Sequence, residues 1–315
     1  VHIVRLDPQA SGAVDASRRG AVVAIGNFDG LHRGHQALFA AVHTLSRRLG
    51  GAPPGVVTFA PHPVRVLAPK LAPPLILRPD EKEQGLRAAG LDVMFELAFT
   101  PGLAALDAAT FCRAILRERL GVAGVVVGEG FKFGARAEGR FADLAAAFGD
   151  HAVAVPSVRE GGYICSSSKI RELILLGHVD AAASLLGRPY RIEGKVVRGD
   201  ARGRTIGVPT ANIDSGRELL PRVGVYATRA ILPDGRVVPS VTNIGLRPTF
   251  QGEGVRIEAH LLDVTVDLYD QRLSLDVVAR LRDEQRFNGI DALLAQIHAD
   301  IAAARAVLGA SGSRP

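Results

Sequence analysis

Residues 26–35 read GNFDGLHRGH, and few folds accommodate that segment where it stands. The apolar run AVVAI at 21–25 precedes it, and residues 36–49 follow with Leu38, Phe39, Val42, Leu45 and Leu49 at helical spacing. The order is strand, glycine-bearing turn, helix. His32 and His35 stand three apart at the opening of that helix, so both imidazoles project from one face. Beside them lie backbone N–H groups with no helical partner and the positive end of the helix dipole. Such a corner suits a polyphosphate. Gly26, Gly30 and Gly34 remove side chains where a ligand would approach the backbone, and Gly30 can take positive φ. A lone GxxxG would read as a plain βα turn. Two histidines and three glycines within this segment make a nucleotide phosphate site the stronger reading.

The chain downstream keeps the same alternation. Residues 55–60 read as a strand running into Pro61, His62 and Pro63, a rigid corner expected to be non-helical. Residues 91–99 read as a strand, 107–120 as a helix with Asp107 near its N-cap, and 122–127 as a buried parallel-type strand. Alternating βα units predict a doubly wound α/β sheet, whose ligands sit beyond the carboxyl ends of the strands. His62 would then face the crevice of His32 and His35. GEGFKFG at 128–134 sits at another strand end, where Phe131 and Phe133 either stack a planar ring or pack the loop on the core. Ser166, Ser167 and Ser168 open a helix over 169–176 with Lys169 and Arg171 in its first turn. Capping accounts for one serine; three hydroxyls and two cations suit phosphate oxygens.

Length and charge set the frame. A chain of 315 residues favours two domains, and 47% hydrophobic with 22% charged residues describes an ordinary globular protein. The net charge of +6 is spread over both halves, which fits anionic small ligands and speaks against a nucleic-acid-binding arm. Two cysteines, Cys112 and Cys165, lie far apart without metal-ligand spacing, so a cytoplasmic location is the default. Neither a membrane span nor a signal peptide is expected.

After a short alanine-rich helix over 178–186, Gly187, Arg188 and Pro189 break the pattern, and the domain boundary is placed there, giving domains 1–187 and 188–315. Short alternating strands follow at 190–197, 224–232, 236–241, 256–267 and 273–281, with a Pro233-Asp234-Gly235 hairpin turn between two of them. Such a run predicts an antiparallel barrel. The apolar stripe of Ile290, Leu293, Leu294, Ile297, Ile301 and Leu308 marks a closing helix expected to pack on that barrel rather than to line a ligand site. Residues 194–212, GKVVRGDARGRTIGVPTAN, form a Gly- and Arg-rich loop in which Arg198, Arg202 and Arg204 could wrap a triphosphate. Thr210 and Asn212 offer oxygen ligands of the kind Mg²⁺ accepts. Glu258 sits in an alternating strand with Arg256 and His260 as its same-face neighbours, so it is either half of a surface pair or a catalytic base.

These motifs, in this order, resemble those of the bacterial bifunctional riboflavin kinase/FMN adenylyltransferase (FAD synthetase) family. GNFDGLHRGH, TFAPHP at 58–63, VGEGFKFG at 127–134 and SSSKIR at 166–171 are similar to the adenylyltransferase half. The 194–212 loop, GVYA at 224–227, NIGLRPTF at 243–250, EAHLLD at 258–263 and LRDEQRF at 281–287 are similar to the kinase half. The resemblance implies a Rossmann-like nucleotidyltransferase domain followed by a small antiparallel β-barrel kinase domain with a C-terminal helix. It implies conversion of riboflavin to FMN and of FMN to FAD, with ATP as co-substrate and Mg²⁺ as cofactor.

In the first domain it implies an ATP site of Gly26, Phe28, Asp29, Gly30, His32, His35, Gly128, Ser166, Ser167, Ser168 and Arg171, with His32 and His35 stabilising phosphate charge. It implies a flavin site of Phe59, Pro61, His62 and Phe131. In the second domain it implies Gly194, Lys195, Gly199, Gly203, Thr210 and Asn212 at ATP, Thr210 and Asn212 at Mg²⁺, and Glu258 as the base. The chain departs from the family pattern at Gly130, where Asp or Asn is expected, at Ser168 for Thr, and at Asp270 for Gly. The alternatives are a nucleotidyltransferase for another phosphorylated substrate, and a flavin sensor with retired sites. The motifs set no oligomeric state, and neither nucleic acid nor membrane is expected as a partner.

Overall fold

The computed structural model describes residues 1–7, 19–199, 207–249 and 252–310. The chain divides into two compact units, Val1–Ser167 and Ser168–Pro315.

The first unit is built on six parallel strands: β1 His2–Leu6, β2 Val22–Ile25, β3 Pro54–Ala60, β4 Val93–Ala98, β5 Gly124–Gly128 and β6 Ala152–Val155. Their order is β1-β4-β3-β2-β5-β6. Every residue of β2 is buried, because helices cover both faces of a parallel sheet. On one face α1 (Arg33–Arg48) contributes Phe39 and Val42, and α3 (Pro79–Ala88), which follows the short α2 (Pro63–Leu67), contributes Leu86. These pack with Val22, Ala24 and Met94. On the other face Ile115 and Leu116, from the helical turns Phe111–Arg119, and Leu144, from α4 (Phe141–Phe148), pack with Val23, Ile25 and Phe95. The strand order runs one way from β2 through β3 and β4 and the other way through β5 and β6. The crevice of a doubly wound sheet therefore opens at the carboxyl ends of β2 and β5.

Several of these elements carried no sequence signal strong enough to predict. Helix α3 buries only Leu86, so PDEKEQGLRA shows no apolar stripe. Strand β1 lies at the edge of the sheet, paired only with β4. The Pro-His-Pro corner is helical where a non-helical loop was expected: His62 caps α2 through Val64 N–H to Nδ1 at 3.3 Å, and Pro63 takes the first helical position, where its missing N–H costs nothing.

A two-stranded ribbon, β7 (Arg159–Glu160) with β8 (Tyr163–Ile164), leads to α5 (Ser167–Leu176) and α6 (Val179–Leu186). Helix α6 packs against strands of the barrel, and α5 and α6 are grouped with it. Gly187, the expected boundary, is the left-handed residue that ends α6 (φ 77°). The closed antiparallel barrel runs β10-β13-β12-β11-β14-β9. Its strands are β9 Tyr190–Val197, β10 Ala211–Asp214, β11 Gly224–Ile231, β12 Val237–Thr249, β13 Gly252–Leu261 and β14 Arg272–Arg282. The expected hairpin turn at 233–235 joins β11 to β12.

The closing helix α7 (Ile290–Ala310) is long and apolar enough by length and composition to cross a membrane, with a mean hydropathy of 1.2 over Ile290–Gly309. It is seated on the barrel instead, with Ala304 and Leu308 against Ala227, Val241 and Val278. Asp300 fixes it in place. Its carboxylate accepts from Arg282 Nε (2.8 Å) and Nη2 (2.7 Å) and from Gln296 Nε2 (2.9 Å), and the Asp300 side chain is only 7% exposed. Removing one partner of a buried pair strands the other, at about 3–5 kcal/mol. Asp300→Ala is expected to lower the melting temperature of the barrel unit, measured by scanning calorimetry on the full chain.

Candidate active sites

In the first unit the turn after β2 is held in strained backbone. Phe28 and Leu31 take φ of 51° and 46°, and Gly30 takes 96°. Phe28 is fully buried, edge-on to His35 at 5.2 Å. His32 is the N-cap of α1, accepting from His35 N–H through Nδ1 at 3.3 Å, and its ring stacks on that of His35 at 3.6 Å and 19°. The two imidazoles thus share a face, as their spacing predicts.

Gly34 is bare for packing reasons: a Cβ there would lie 3.1 Å from both the Cys165 carbonyl and the His32 ring. Burial, with His32 and the Lys82 charge nearby, holds His35 well below its ordinary value of 6.5, and its Nδ1 has no hydrogen-bond partner among the described residues. A neutral imidazole at a helix N-terminus can donate to phosphate oxygen without adding a proton to the site.

A cavity of about 270 Å³ opens beside this pair, and Gly26, Phe28, His32, His35, Gly128, Gly130 and Phe131 line it. Of the residues expected at the first site, Gly26, Phe28, His32, His35, Gly128 and Phe131 meet here, from the ends of β2 and β5. Phe131 stacks on Phe133 (5.7 Å, 15°), so the ring packs on the core and borders the cavity at once. The Asp29 carboxylate is turned to the fold: it accepts from Ile76 N–H and Leu77 N–H at 3.0 Å and so fixes the segment that leads into α3. Ser167 Oγ donates to the Asp29 carbonyl at 2.7 Å, and Ser166 precedes it.

Ser168 and Arg171 follow on α5 in the second unit, where Arg171 is buried. Phe59 packs edge-on to Phe99, and Pro61 follows a cis Ala60–Pro61 bond. His62 lies outside the cavity lining but meets the motif turn, with Nε2 3.2 Å from the Asn27 amide.

In the second unit Asn212 on β10 and Glu258 on β13 are register partners, so their side chains share a face. Thr210 Oγ1 is 3.5 Å from Glu258 Oε1. Arg256 spans the pair, 2.7 Å from Glu258 Oε1 and donating to Asn212 Oδ1 at 3.1 Å. His260 Nδ1 donates to the Pro209 carbonyl at 2.8 Å and ties down the end of the 194–212 loop. Glu258 is thus a member of an ion pair and also lines a cavity.

A cavity of about 690 Å³ opens on the Asn212 side, with Gly199, Arg198, Arg217 and Arg222 around it. One of about 270 Å³ opens on the Glu258 side, lined by Thr210, Asn243 and Phe287 and by Leu293, Ile297 and Ile301 of α7. The apolar stripe of α7 was expected to serve packing alone. Its first turns instead wall this cavity, and only its far end is buried on the barrel. Sequence periodicity registers an apolar face and carries no information on what that face meets.

Gly199 admits Asn212, whose amide nitrogen would lie 2.2 Å from a Cβ, and Gly194 admits the Asp214 carbonyl at the same distance. Lys195 pairs with Asp270 at 2.7 Å on the surface. Asp270, in the place of the family's glycine, keeps the left-handed turn at φ 65°. Gly203, Arg202 and Arg204 lie outside the described residues.

Thr210 and Asn212 carry side-chain oxygens, the donor type a hard cation such as Mg²⁺ takes, and Arg256 Nε donates to the Asn212 oxygen at 3.1 Å. Among the described residues no group of three His, Cys, Asp or Glu could hold a metal ion.

Known proteins match this chain over both of its parts. Residues 14–169 match the FAD synthetase family and residues 186–308 the riboflavin kinase family. The chain is 42% identical over 301 residues to the bifunctional riboflavin kinase/FMN adenylyltransferase of Pseudomonas fluorescens, covering 94% of this chain and 96% of the relative. It is 39% identical over 297 residues to the protein of the same name from Escherichia coli K12, covering 93% and 95%. This chain belongs to the bifunctional riboflavin kinase/FMN adenylyltransferase family. A Streptococcus pneumoniae structure described as a macrolide-efflux protein is also similar, with a TM-score of 0.86, 31% identity and coverage of 97% of this chain and 99% of that one. That name differs from the relatives' names; among the described residues, the helix long enough to cross a membrane is seated on the barrel.

Proposed function

We propose that the chain phosphorylates riboflavin with ATP to give FMN in residues 188–315, and adenylylates FMN with a second ATP to give FAD and pyrophosphate in residues 1–187. The observation that carries this is the placement of His32 and His35 at one cavity and of Asn212 and Glu258 at two others, with the first cavity in the first unit and the others in the second.

In the kinase the nucleotide takes the larger, arginine-rimmed cavity, and the isoalloxazine takes the smaller one, between Phe287 and the apolar face of α7. This brings the ribityl 5′-hydroxyl toward Glu258, which accepts its proton as the oxygen attacks the γ-phosphorus. Thr210 and Asn212 would hold Mg²⁺, whose chemistry is to neutralise charge on the ATP phosphates. Arg256 then exchanges its hold on Glu258 for one on the nucleotide.

In the adenylyltransferase the FMN phosphate attacks the α-phosphorus of ATP. His32, His35 and the α1 N-terminus stabilise the charge that develops, while Phe131 and the Phe59 to His62 segment take the flavin. The product set is tested by incubating the chain with riboflavin, ATP and Mg²⁺ and separating the flavins by chromatography; absence of both FMN and FAD overturns the proposal. A cytoplasmic location is part of the same proposal.

Gly130 gives a third prediction. A Cβ there meets nothing within 4 Å, and the residue lines the cavity. Gly130→Asn is expected to fold normally and to lower KM for FMN by about threefold, the effect of one modest hydrogen bond of roughly 0.5–1.5 kcal/mol. Steady-state FAD synthesis checks it.

A further inference from the structure

Lys82 was given no part in either site, yet its ammonium is built into the first one. Helix α3 starts with Arg78 N–H donating to Glu81 Oε2 at 2.9 Å, which fixes its first turn. Lys82 then falls four residues before Leu86, on the face that packs into the core. Gly85 on the same helix lies against Leu31 of the motif turn, where a Cβ would be 2.2 Å from the Leu31 methyl, so α3 is pressed onto the turn.

From there Lys82 Nζ reaches the Asn27 carbonyl at 3.5 Å and Thr58 Oγ1 at 3.4 Å. Thr58 Oγ1, fully buried, itself donates to the Asn27 carbonyl at 3.4 Å. One ammonium thus joins the turn after β2 to the end of β3. The Asn27 side chain, on the same residue, meets His62.

We propose that Lys82 is a positioning residue for FMN adenylylation: it holds the Asn27 backbone and Thr58 together, and so sets the Asn27–His62 contact through which the ATP corner and the flavin-side segment keep their spacing. Desolvation lowers the lysine below its ordinary value, while Glu96, Asp29 and Glu83 favour its charged form. Removing it strands no carboxylate, because Glu96 keeps Arg5 at 3.0 Å and Asp29 keeps the amides of Ile76 and Leu77. Lys82→Met is therefore expected to fold.

The inference rests on the adenylyltransferase assignment of residues 1–187, and the test separates the two. Wild-type chain that forms no FAD from FMN and ATP overturns the assignment and the inference with it. With wild type active, Lys82→Met is expected to lose about 10–100-fold in kcat/KM for FMN, the scale on which a displacement near 1 Å acts. KM for ATP is expected to stay within twofold, and riboflavin phosphorylation by the same chain to be unchanged. Thr58→Val, close in shape, is expected to show the same FMN-selective loss at a few-fold, and the double variant to be no worse than Lys82→Met. Retained kcat/KM for FMN in Lys82→Met, a loss shared equally between ATP and FMN, or additive losses in the double variant overturns the inference. If Lys82→Met fails to fold, Thr58→Val decides by the same selectivity.

Discussion

Glu258→Gln is expected to remove FMN formation from riboflavin, by about 10²–10⁴-fold in kcat, while FAD formation from supplied FMN stays at the wild-type rate. The substitution keeps the shape of the side chain and takes away only the group that accepts a proton. Glu258 stands beside Thr210, in register with Asn212, at the wall of the smaller barrel cavity. A magnitude this large follows from geometry as much as from basicity, since Asn212 and Glu258 are fixed by strand pairing and cannot drift apart. Feeding the variant riboflavin and FMN in separate reactions, and measuring products by chromatography, reads both activities on one chain. Loss of both in a folded protein would show that the two chemistries are not divided as proposed.

His35→Gln is the converse case. FAD formation is expected to fall by about 10²–10³-fold, the loss typical of one donor aimed at developing phosphate charge, with riboflavin phosphorylation intact. The same residue sets a pH dependence of stability. In the folded chain His35 stays neutral well below 6.5, whereas in the unfolded chain it binds a proton near that value. Between the two values the unfolded state holds more protons, so stability rises with pH there and is lost as pH falls below about 6.5. Wild-type chain is therefore expected to lose stability on acidification through this window in denaturant titrations, and His35→Gln to lose less of it. Equal acid sensitivity in both proteins would mean that His35 does not titrate as its burial requires.

Much of this was legible in local sequence, for a definite reason. A βα turn with glycines and histidines encodes its own geometry within a few residues, and the His32–His35 stack is simply what three-residue spacing at a helix start produces. The barrel strands were visible because a half-buried antiparallel strand alternates. Less was visible where function depends on distant partners. Lys82 lies in a helix with one buried apolar residue, and only pairing of β3 beside β2 brings Thr58 and Asn27 to it. Asp29 sits in the midst of the phosphate motif, yet its carboxylate is taken by amides nearly fifty positions away, at Ile76 and Leu77.

The sequence by itself offered the candidates, paired histidines at a helix start, oxygen donors after a proline corner and one carboxylate in an alternating strand, and the order of its motifs pointed to the class of chemistry. It also showed the two-part architecture, because periodicity changes from βα alternation to short strands, while the compact units divide after Ser167 and not at the expected residue 187. Tertiary structure decided what each side chain faces. The reversal of strand order between β2 and β5 places the crevice, the β10–β13 register brings Asn212 and Glu258, the residues proposed for the kinase, onto one face, and the seating of α7 divides its apolar stripe between barrel and cavity. Local sequence fixes the direction of a side chain on its own element. The partner it meets follows from how strands separated by tens of residues come to lie side by side.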